Sequence, residues 1–346
     1  MKTDILIADL YNWKDASKAA ADLLKDGQVV AVPSETVYGL AASIHEEEAL
    51  NYIFEAKERP SYDPLIVHIG SLDDLKKVAI VPEQLSSVVN QLTEKFWPGP
   101  LTLVLPKHPE LSDTISSGLD TVAVRMPSNE ILREICKLVG PIAAPSANRF
   151  GSISPTSASA VEKELGGRIP LIIDGGACSD GLESTIIKPS PAPSEGKKPI
   201  FTLLRPGATT RENLREFGKV EKPKPPKKGE EKPAVDAPGM LDSHYAPRTP
   251  LYLFNKFEEF SPEEGKTYAL LSLKGEDGDY FKKYDWDEVL TLSPGSGKAI
   301  EGAMRFYWAL RQLDEKGFDV IVAEPVNKAN LGEAIMDRLK RAAVNC

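Results

Sequence analysis

The stretch Val29-Val30-Ala31-Val32-Pro33-Ser34-Glu35-Thr36-Val37-Tyr38-Gly39-Leu40 decides how the first half of the chain is read. Val29 to Val32 is an apolar, largely β-branched run of strand length. Pro33 closes it, and two hydroxyls and a carboxylate emerge at the strand end before Gly39. Such a segment reads either as a ligand-facing loop or as an ordinary strand-to-helix turn. Just upstream, Ala16, Ala19, Ala20, Leu23 and Leu24 recur at helical spacing over residues 15–26, and Gly27 ends that helix. A helix, an apolar strand and a polar strand end, in that order, predict an α/β fold.

The same alternation continues outward. Residues 46–58 form a second amphipathic helix, with Glu46, Glu47 and Glu48 at its start and Lys57 at its end. A strand follows at 65–69, then a helix opened by Ser71 with Asp74 three residues on, then one starting at Pro82. Further strands are predicted at 101–105, 121–126, 141–144, 170–174, 184–188 and 200–204, with helices at 129–139, 157–165 and 210–217. This is a mixed α/β domain over residues 1–217. Residues 219–239, KVEKPKPPKKGEEKPAVDAPG, offer almost nothing to bury, so a linker is expected over 218–249. Extended, the Pro-rich stretch reaches roughly 60 Å at about 3.1 Å per residue. A small α/β domain with a parallel sheet is expected over 250–346, with strands at 250–254, 267–273 and 318–323 and helices at 298–316 and 331–343.

Composition narrows the class. A chain of 346 residues suggests two cores, and 41% hydrophobic with 27% charged residues is ordinary for a soluble globular protein. The formal charge of −9 argues against a generic nucleic-acid binder. Cys136, Cys178 and Cys346 are far apart in sequence, which suits neither a disulfide framework nor a zinc site. The first residues lack the basic head and apolar core of a signal peptide, and no apolar run approaches membrane-spanning length, so the cytoplasm is the expected compartment.

Several polar clusters stand out against this background. Lys57 and Arg59 are two cations at a helix end; the helix dipole alone accounts for them, and so does a triphosphate. His68 sits in an apolar strand, as a core histidine or a ligand. Trp97-Pro98-Gly99-Pro100-Leu101-Thr102 reads as a rigid structural turn. Arg125 lies inside the apolar strand 121–126 and needs an anion, from the protein or from a substrate. Ala144-Pro145-Ser146-Ala147-Asn148, then Ser152, Ser154 and Thr156 before a helix, make an anion-binding edge or a set of caps and turns. Gly181-Leu182-Glu183-Ser184-Thr185 precedes a strand similarly. Ser293-Pro294-Gly295-Ser296-Gly297-Lys298 imitates a P-loop, but Leu292 and Ala299 occupy the positions of its first glycine and its final hydroxyl. It reads as a polar turn before a helix.

Taken in order, these motifs resemble the threonylcarbamoyl-AMP synthase family, whose catalytic unit is the YrdC-like domain. The carrying residues are Pro33–Leu40, Lys57 and Arg59, Pro64-Leu65 with His68, Trp97–Thr102, Val122–Pro127, Ser146 and Asn148, Glu183–Thr185, and Leu204-Arg205-Pro206-Gly207. Pro238-Gly239-Met240, His244-Tyr245-Ala246-Pro247 and Ala334-Ile335-Met336-Asp337-Arg338-Leu339 resemble the longer members, which carry a C-terminal domain. Two positions depart from the pattern: Ser34 replaces a threonine, and Asn129 replaces a histidine.

The resemblance implies a twisted mixed sheet with helices around a large cavity, followed by a smaller Rossmann-like α/β domain. It implies a nucleotidyltransferase that condenses L-threonine, bicarbonate or CO₂, and ATP for the modification of tRNA. By that resemblance Thr36, His68, Arg125, Ala144 and Ser184 bind threonine. Lys57 and Arg59 act on the phosphates as the catalytic pair. Asp63, Thr121, Ser146, Asn148, Ser154, Arg205, His244 and Tyr245 join them around ATP. Mg²⁺ comes with ATP and no protein-held metal is expected; the partners are the downstream tRNA threonylcarbamoyl transferase machinery and a weak contact with tRNA. A related carbamoyl-AMP-forming activity, in hydrogenase maturation, comes with zinc-finger modules that three cysteines cannot build. Double-stranded RNA binding, or regulatory binding of threonine or nucleotide, is the alternative.

Overall fold

A computed structural model describes residues 1–223, 245–254 and 260–343. The first domain is built on one mixed sheet of eleven strands. Its strands are β1 (Asp4–Ile7), β2 (Val30–Val32), β3 (Gly39–Ser43), β4 (Ile66–His68), β5 (Leu101–Pro106), β6 (Thr121–Arg125), β7 (Ile142–Ala143), β8 (Leu171–Asp174), β9 (Thr185–Ser190), β10 (Ile200–Arg205) and β11 (Lys219–Glu221). Across the sheet they run β1-β8-β2-β3-β7-β4-β6-β5-β9-β10-β11.

Alternation along each strand sorts the side chains onto two faces. On one face Ala31, Leu40, Val67, Leu103, Val122, Val124 and Ile187 belong to the largest apolar cluster. Three long helices pack on this face: α2 (Glu47–Lys57) with Leu50 and Ile53, α4 (Glu83–Phe96) with Val89 and Leu92, and α7 (Ala158–Leu165) with Val161. On the other face Val30, Val32, Ile142, Leu171 and Ile173 meet α1 (Trp13–Lys25) and α6 (Glu130–Val139) through Ala16, Ala20, Leu24, Ile131 and Ile135. That helical cover ends at the middle of the sheet. Further along the same face Ile66, Val104, Ala123, Ile186 and Leu204 form a small cluster to which no described helix contributes. The bare half of this face is where a cavity opens.

The second domain has four parallel strands in the order β12-β15-β13-β14. They are β12 (Leu251–Leu253), β13 (Tyr268–Ser272), β14 (Glu288–Thr291) and β15 (Val320–Ala323), flanked by α9 (Ala299–Lys316) and α10 (Leu331–Ala342). The remaining helices, α3 (Leu75–Val78), α5 (Asp113–Ser116) and α8 (Arg211–Arg215), are short. Val37, Ile153 and Leu182 of the first domain share one apolar cluster with Phe306, Leu310 and Ile335 of the second. The two domains are therefore joined by a common core.

Several expectations need correction. Asp4–Ile7 is a strand, pairing parallel with β8. The segment after β2 is a hairpin and not a strand-to-helix turn, since β3 returns antiparallel from Gly39. β14 has no counterpart in the sequence reading. Lys219–Glu221, assigned there to the linker, pairs parallel with β10 as the edge strand. Ser71 does open a helical turn, with Asp74 completing a capping box.

Candidate active site

The cavity is partly open to solvent and is lined by polar and charged side chains that converge on one space. Its floor is the bare sheet face. His68 on β4 and Arg125 on β6 are register partners on adjacent parallel strands, so their side chains emerge together. Thr36, Ala144, Ser146, Ser184, Arg59, Arg205 and Tyr245 complete the wall. Nine of the residues singled out in the sequence thus converge on one space.

Arg125 has a protein partner. Its Nη2 lies 2.6 Å from Oε1 of Glu35, Nη1 donates to Thr36 Oγ1 at 2.9 Å, and Nε donates to the Gly99 carbonyl at 3.1 Å. The Trp97–Thr102 turn, whose favoured reading is structural, therefore presents a backbone acceptor to Arg125. Burial alone would raise the Glu35 carboxyl, but Arg125 and the Ser128 N–H outweigh it and hold it at about 2. His68 is driven the other way, down to about 3, by burial first and by neighbouring Arg125 second. It is neutral at physiological pH, and its buried Nδ1 has no hydrogen-bond partner among the described residues. A satisfied core histidine does not leave a ring nitrogen idle.

Ser184 Oγ lies 2.8 Å from Thr102 Oγ1 and accepts from Arg205 Nη2 at 3.1 Å, while Arg205 Nε donates to the Ser184 carbonyl. Gly207 permits this packing: a Cβ there would fall 2.3–2.6 Å from the backbone of Glu183, Ser184 and Thr185. The Leu204-Arg205-Pro206-Gly207 run is thus read as one arginine and the space to seat it.

Other residues stand behind the wall. Lys57 is fully buried and does not line the cavity; its ammonium donates to the carbonyls of Ser146 and Asn148, each at 2.5 Å. Where the sequence offered a cation for phosphates, the structure uses Lys57 to hold the loop that carries Ser146. Burial, then Arg59, lowers its pKa well below the ordinary lysine value. Asp63 pairs with Arg59 at 2.8 Å, and both are buried. Asn148 donates through its Nδ2 to the Arg149 and Ser152 carbonyls, and its Oδ1 has no partner among the described residues. Ser154 donates to Glu183 at 2.6 Å. Thr121 shares the cavity face of β6 but lies at the far end, about 13 Å from Arg125 at roughly 3.3 Å per residue. His244 falls outside the described residues. Asn129 caps α6 by accepting from the Leu132 N–H.

The sequence reading passed over Glu35 and Glu183, although both lie inside motifs it quoted. It also passed over Arg338 and Tyr307, which reach Glu183 from the second domain. The signal was present: Arg338 falls on the same helical stripe as Leu331, Ala334 and Ala342. The Ser293–Lys298 turn is settled internally, since the Ser293 and Ser296 hydroxyls both donate to Glu301 at 2.7 Å.

A mixed-sheet domain with arginines and hydroxyls converging on one cavity, joined to a parallel α/β domain, defines an anionic small-molecule site in a two-domain α/β protein. A family model described as telomere recombination matches residues 22–207, and one described as threonylcarbamoyl-AMP synthase, C-terminal domain, matches residues 209–344. The threonylcarbamoyl-AMP synthase of Pyrococcus abyssi is 40% identical over 96% of this chain and 95% of its own length. That of Bacillus subtilis is 39% identical over 94% and 92%. The crystal structure of P. abyssi Sua5 complexed with L-threonine superposes with a TM-score of 0.81 at 37% identity, covering 99% of this chain and 98% of that one. The chain belongs to the threonylcarbamoyl-AMP synthase family.

Proposed function

We infer that this chain is an L-threonylcarbamoyladenylate synthase. The observation that carries this reading is the convergence of Arg125, His68, Thr36 and Ser184 with Arg59, Arg205 and Ser146 on one cavity. The amine of L-threonine takes up CO₂ from bicarbonate, with loss of water, to give a carbamate. A carbamate oxygen then attacks the α-phosphorus of ATP, the bond to the β-phosphate oxygen breaks, and pyrophosphate leaves. Nothing here calls for a covalent protein nucleophile; positioning and charge stabilisation suffice.

Arg125 receives the threonine carboxylate. Its Nη1 and Nε donate to Thr36 and Gly99, while Nη2 pairs with Glu35 by charge and makes no hydrogen bond among the described residues, so N–H groups remain for a planar anion. Neutral His68 contributes a ring nitrogen, and Thr36, Ser184 and the Ala144 backbone complete that pocket. Arg59, Arg205 and Ser146 take the phosphates, with Asp63 fixing the Arg59 fork and Lys57 and Asn148 fixing the loop of Ser146. Thr121 lies where the far end of an extended nucleotide reaches, and Ser154, His244 and Tyr245 belong to the nucleotide side. Among the described residues no three carboxylate, imidazole or thiolate groups converge as metal donors. Mg²⁺ arrives with the triphosphate and keeps mostly water ligands.

The product serves tRNA threonylcarbamoyl transfer in the cytoplasm. No described helix is long and apolar enough to cross a membrane. The test is pyrophosphate release with each substrate omitted in turn: the reading requires ATP, L-threonine and bicarbonate together, and equal turnover without threonine rejects it.

A further inference from the structure

We propose that Arg338 and Tyr307 of the second domain are positioning residues of the cavity in the first, acting through Glu183. This rests on the reading of the cavity as the synthase site. Glu183 stands on the cavity wall, is 5% exposed, and precedes Ser184 directly. Its carboxylate accepts from Ser154 Oγ at 2.6 Å, from Tyr307 Oη at 2.8 Å to both oxygens, and from Arg338 Nε at 2.8 Å. Two of these three partners come from helices of the other domain, Tyr307 from α9 and Arg338 from α10.

Arg338 has no exposed surface and branches to three parts of the site. Besides Glu183, its Nη2 donates to the carbonyl of Pro206, next to Arg205, at 3.0 Å. Its guanidinium lies 5.0 Å from the ring of Tyr245, itself on the cavity wall. Asp337 holds Nη1 at 2.6 Å. Apolar packing delivers the group to this point. Leu182, one residue before Glu183, is fully buried in the shared core. Gly181, at φ +72°, lets α9 approach so closely that a Cβ there would fall 2.5–2.6 Å from the backbone of Ala303 and Met304.

An ion pair stripped of water is a poor device for stability alone, because desolvation cancels much of its attraction. What this one accomplishes is orientation. With Glu183 fixed from behind, Ser184 presents its hydroxyl beside Thr102 and Arg205, and Arg205 is held between the Ser184 and Pro206 segments. Charge is fixed as well. Burial would raise the Glu183 carboxyl, but Arg338 first and Arg205 second overcome it and hold the group at about 2. The groups facing this carboxylate are Arg338 from α10, with Asp337 behind it, Tyr307 from α9, Arg205 from β10, Ser154, and Tyr245. Removing Arg338 leaves burial opposed mainly by Arg205, so the Glu183 pKa must climb.

The experiment uses the full chain and follows pyrophosphate release from pH 5 to 9 in wild type, Arg338→Met, Arg338→Lys, Tyr307→Phe, Glu183→Gln and the double variant Arg338→Met/Glu183→Gln, each checked for folding by circular dichroism. Arg338→Met should lose kcat by about a hundredfold, with smaller changes in KM, as expected when reacting groups shift slightly. Its acid limb should move toward neutral pH, Arg338→Lys should recover part of the loss, and Tyr307→Phe should show a smaller change of the same kind. The double variant should be no worse than Arg338→Met alone. Normal kcat in folded Arg338→Met, or additive losses with an unmoved pH profile, overturns the proposal. If Arg338→Met does not fold, Tyr307→Phe decides, and unchanged kcat and pH dependence in it overturn the proposal equally. Absence of threonine-dependent turnover in wild type instead rejects the synthase reading. ¹³C-carboxylate NMR titration of Glu183 then tests the pairing directly, an equal pKa in wild type and Tyr307→Phe counting against it.

Discussion

Arg125 Nη2 and Glu35 Oε1 lie 2.6 Å apart, and both side chains are buried, the arginine on the cavity wall and the glutamate behind it. The arginine inside an apolar strand thus has a protein anion, yet it remains beside His68 with donors to spare. The pair orients the guanidinium before any substrate arrives.

Arg125→Ala should weaken L-threonine far more than ATP, by roughly 2–5 kcal/mol for truncating one partner of a buried charge pair. It should also lower the melting temperature, because Glu35 is left charged and unpaired. Calorimetric titration of each substrate into the folded variant checks this. Unchanged threonine affinity would show that Arg125 serves Glu35 alone.

Lys57→Met should cost stability as well as activity. The buried Asn148 carbonyl and the partly buried Ser146 carbonyl lose their donor, and a buried unsatisfied group costs about 1–3 kcal/mol. Urea unfolding should shift to lower midpoints, and the ATP KM should rise as the Ser146 loop loosens. A variant with wild-type stability would mean the ammonium is not seated there.

His68 makes stability fall on mild acidification. Its folded pKa of about 3 lies below the ordinary 6.5, so below pH 6.5 the unfolded chain binds a proton that the folded one refuses. Stability present above pH 6.5 is lost as the pH drops, by about 2 kcal/mol between pH 7 and 5. His68→Gln should flatten that slope in denaturant unfolding relative to wild type. Parallel pH dependences in the two proteins would contradict a neutral buried imidazole.

L-Serine should be a poorer substrate than L-threonine. One methyl group in a buried pocket is worth roughly 1 kcal/mol or somewhat more, which is a preference of about tenfold in kcat/KM. Competition between the two amino acids in the pyrophosphate assay measures it, and equal kcat/KM would place the threonine methyl in water.

Most of the helices and strands were legible because period and punctuation agree in them: Ala16, Ala20 and Leu24 are buried at helical spacing, as their positions require. Three strands that were missed, β1, β11 and β14, lie at sheet edges, where only one neighbour supports them. β1 exposes Ile5 and Ile7 at the sheet edge, and β11 is a charged edge strand whose existence depends on β10 beside it. In the site, the motifs mark residues that the fold brings together, but spacing does not say which of them face the cavity. The Lys57 ammonium and the Asn148 Nδ2 are donors typical of ligand contacts, and both are used on neighbouring carbonyls. Arg338 illustrates the converse, because its partner is 155 residues away and only tertiary packing brings them together.

The most direct test of the account is the fate of labelled carbon. The full chain, incubated with ATP, L-threonine and ¹³C-bicarbonate and sampled rapidly for mass spectrometry, should yield an adenylate that carries both threonine and the label, with one pyrophosphate per adenylate formed. Release of ADP and phosphate, or an adenylate containing threonine without the labelled carbon, would contradict it.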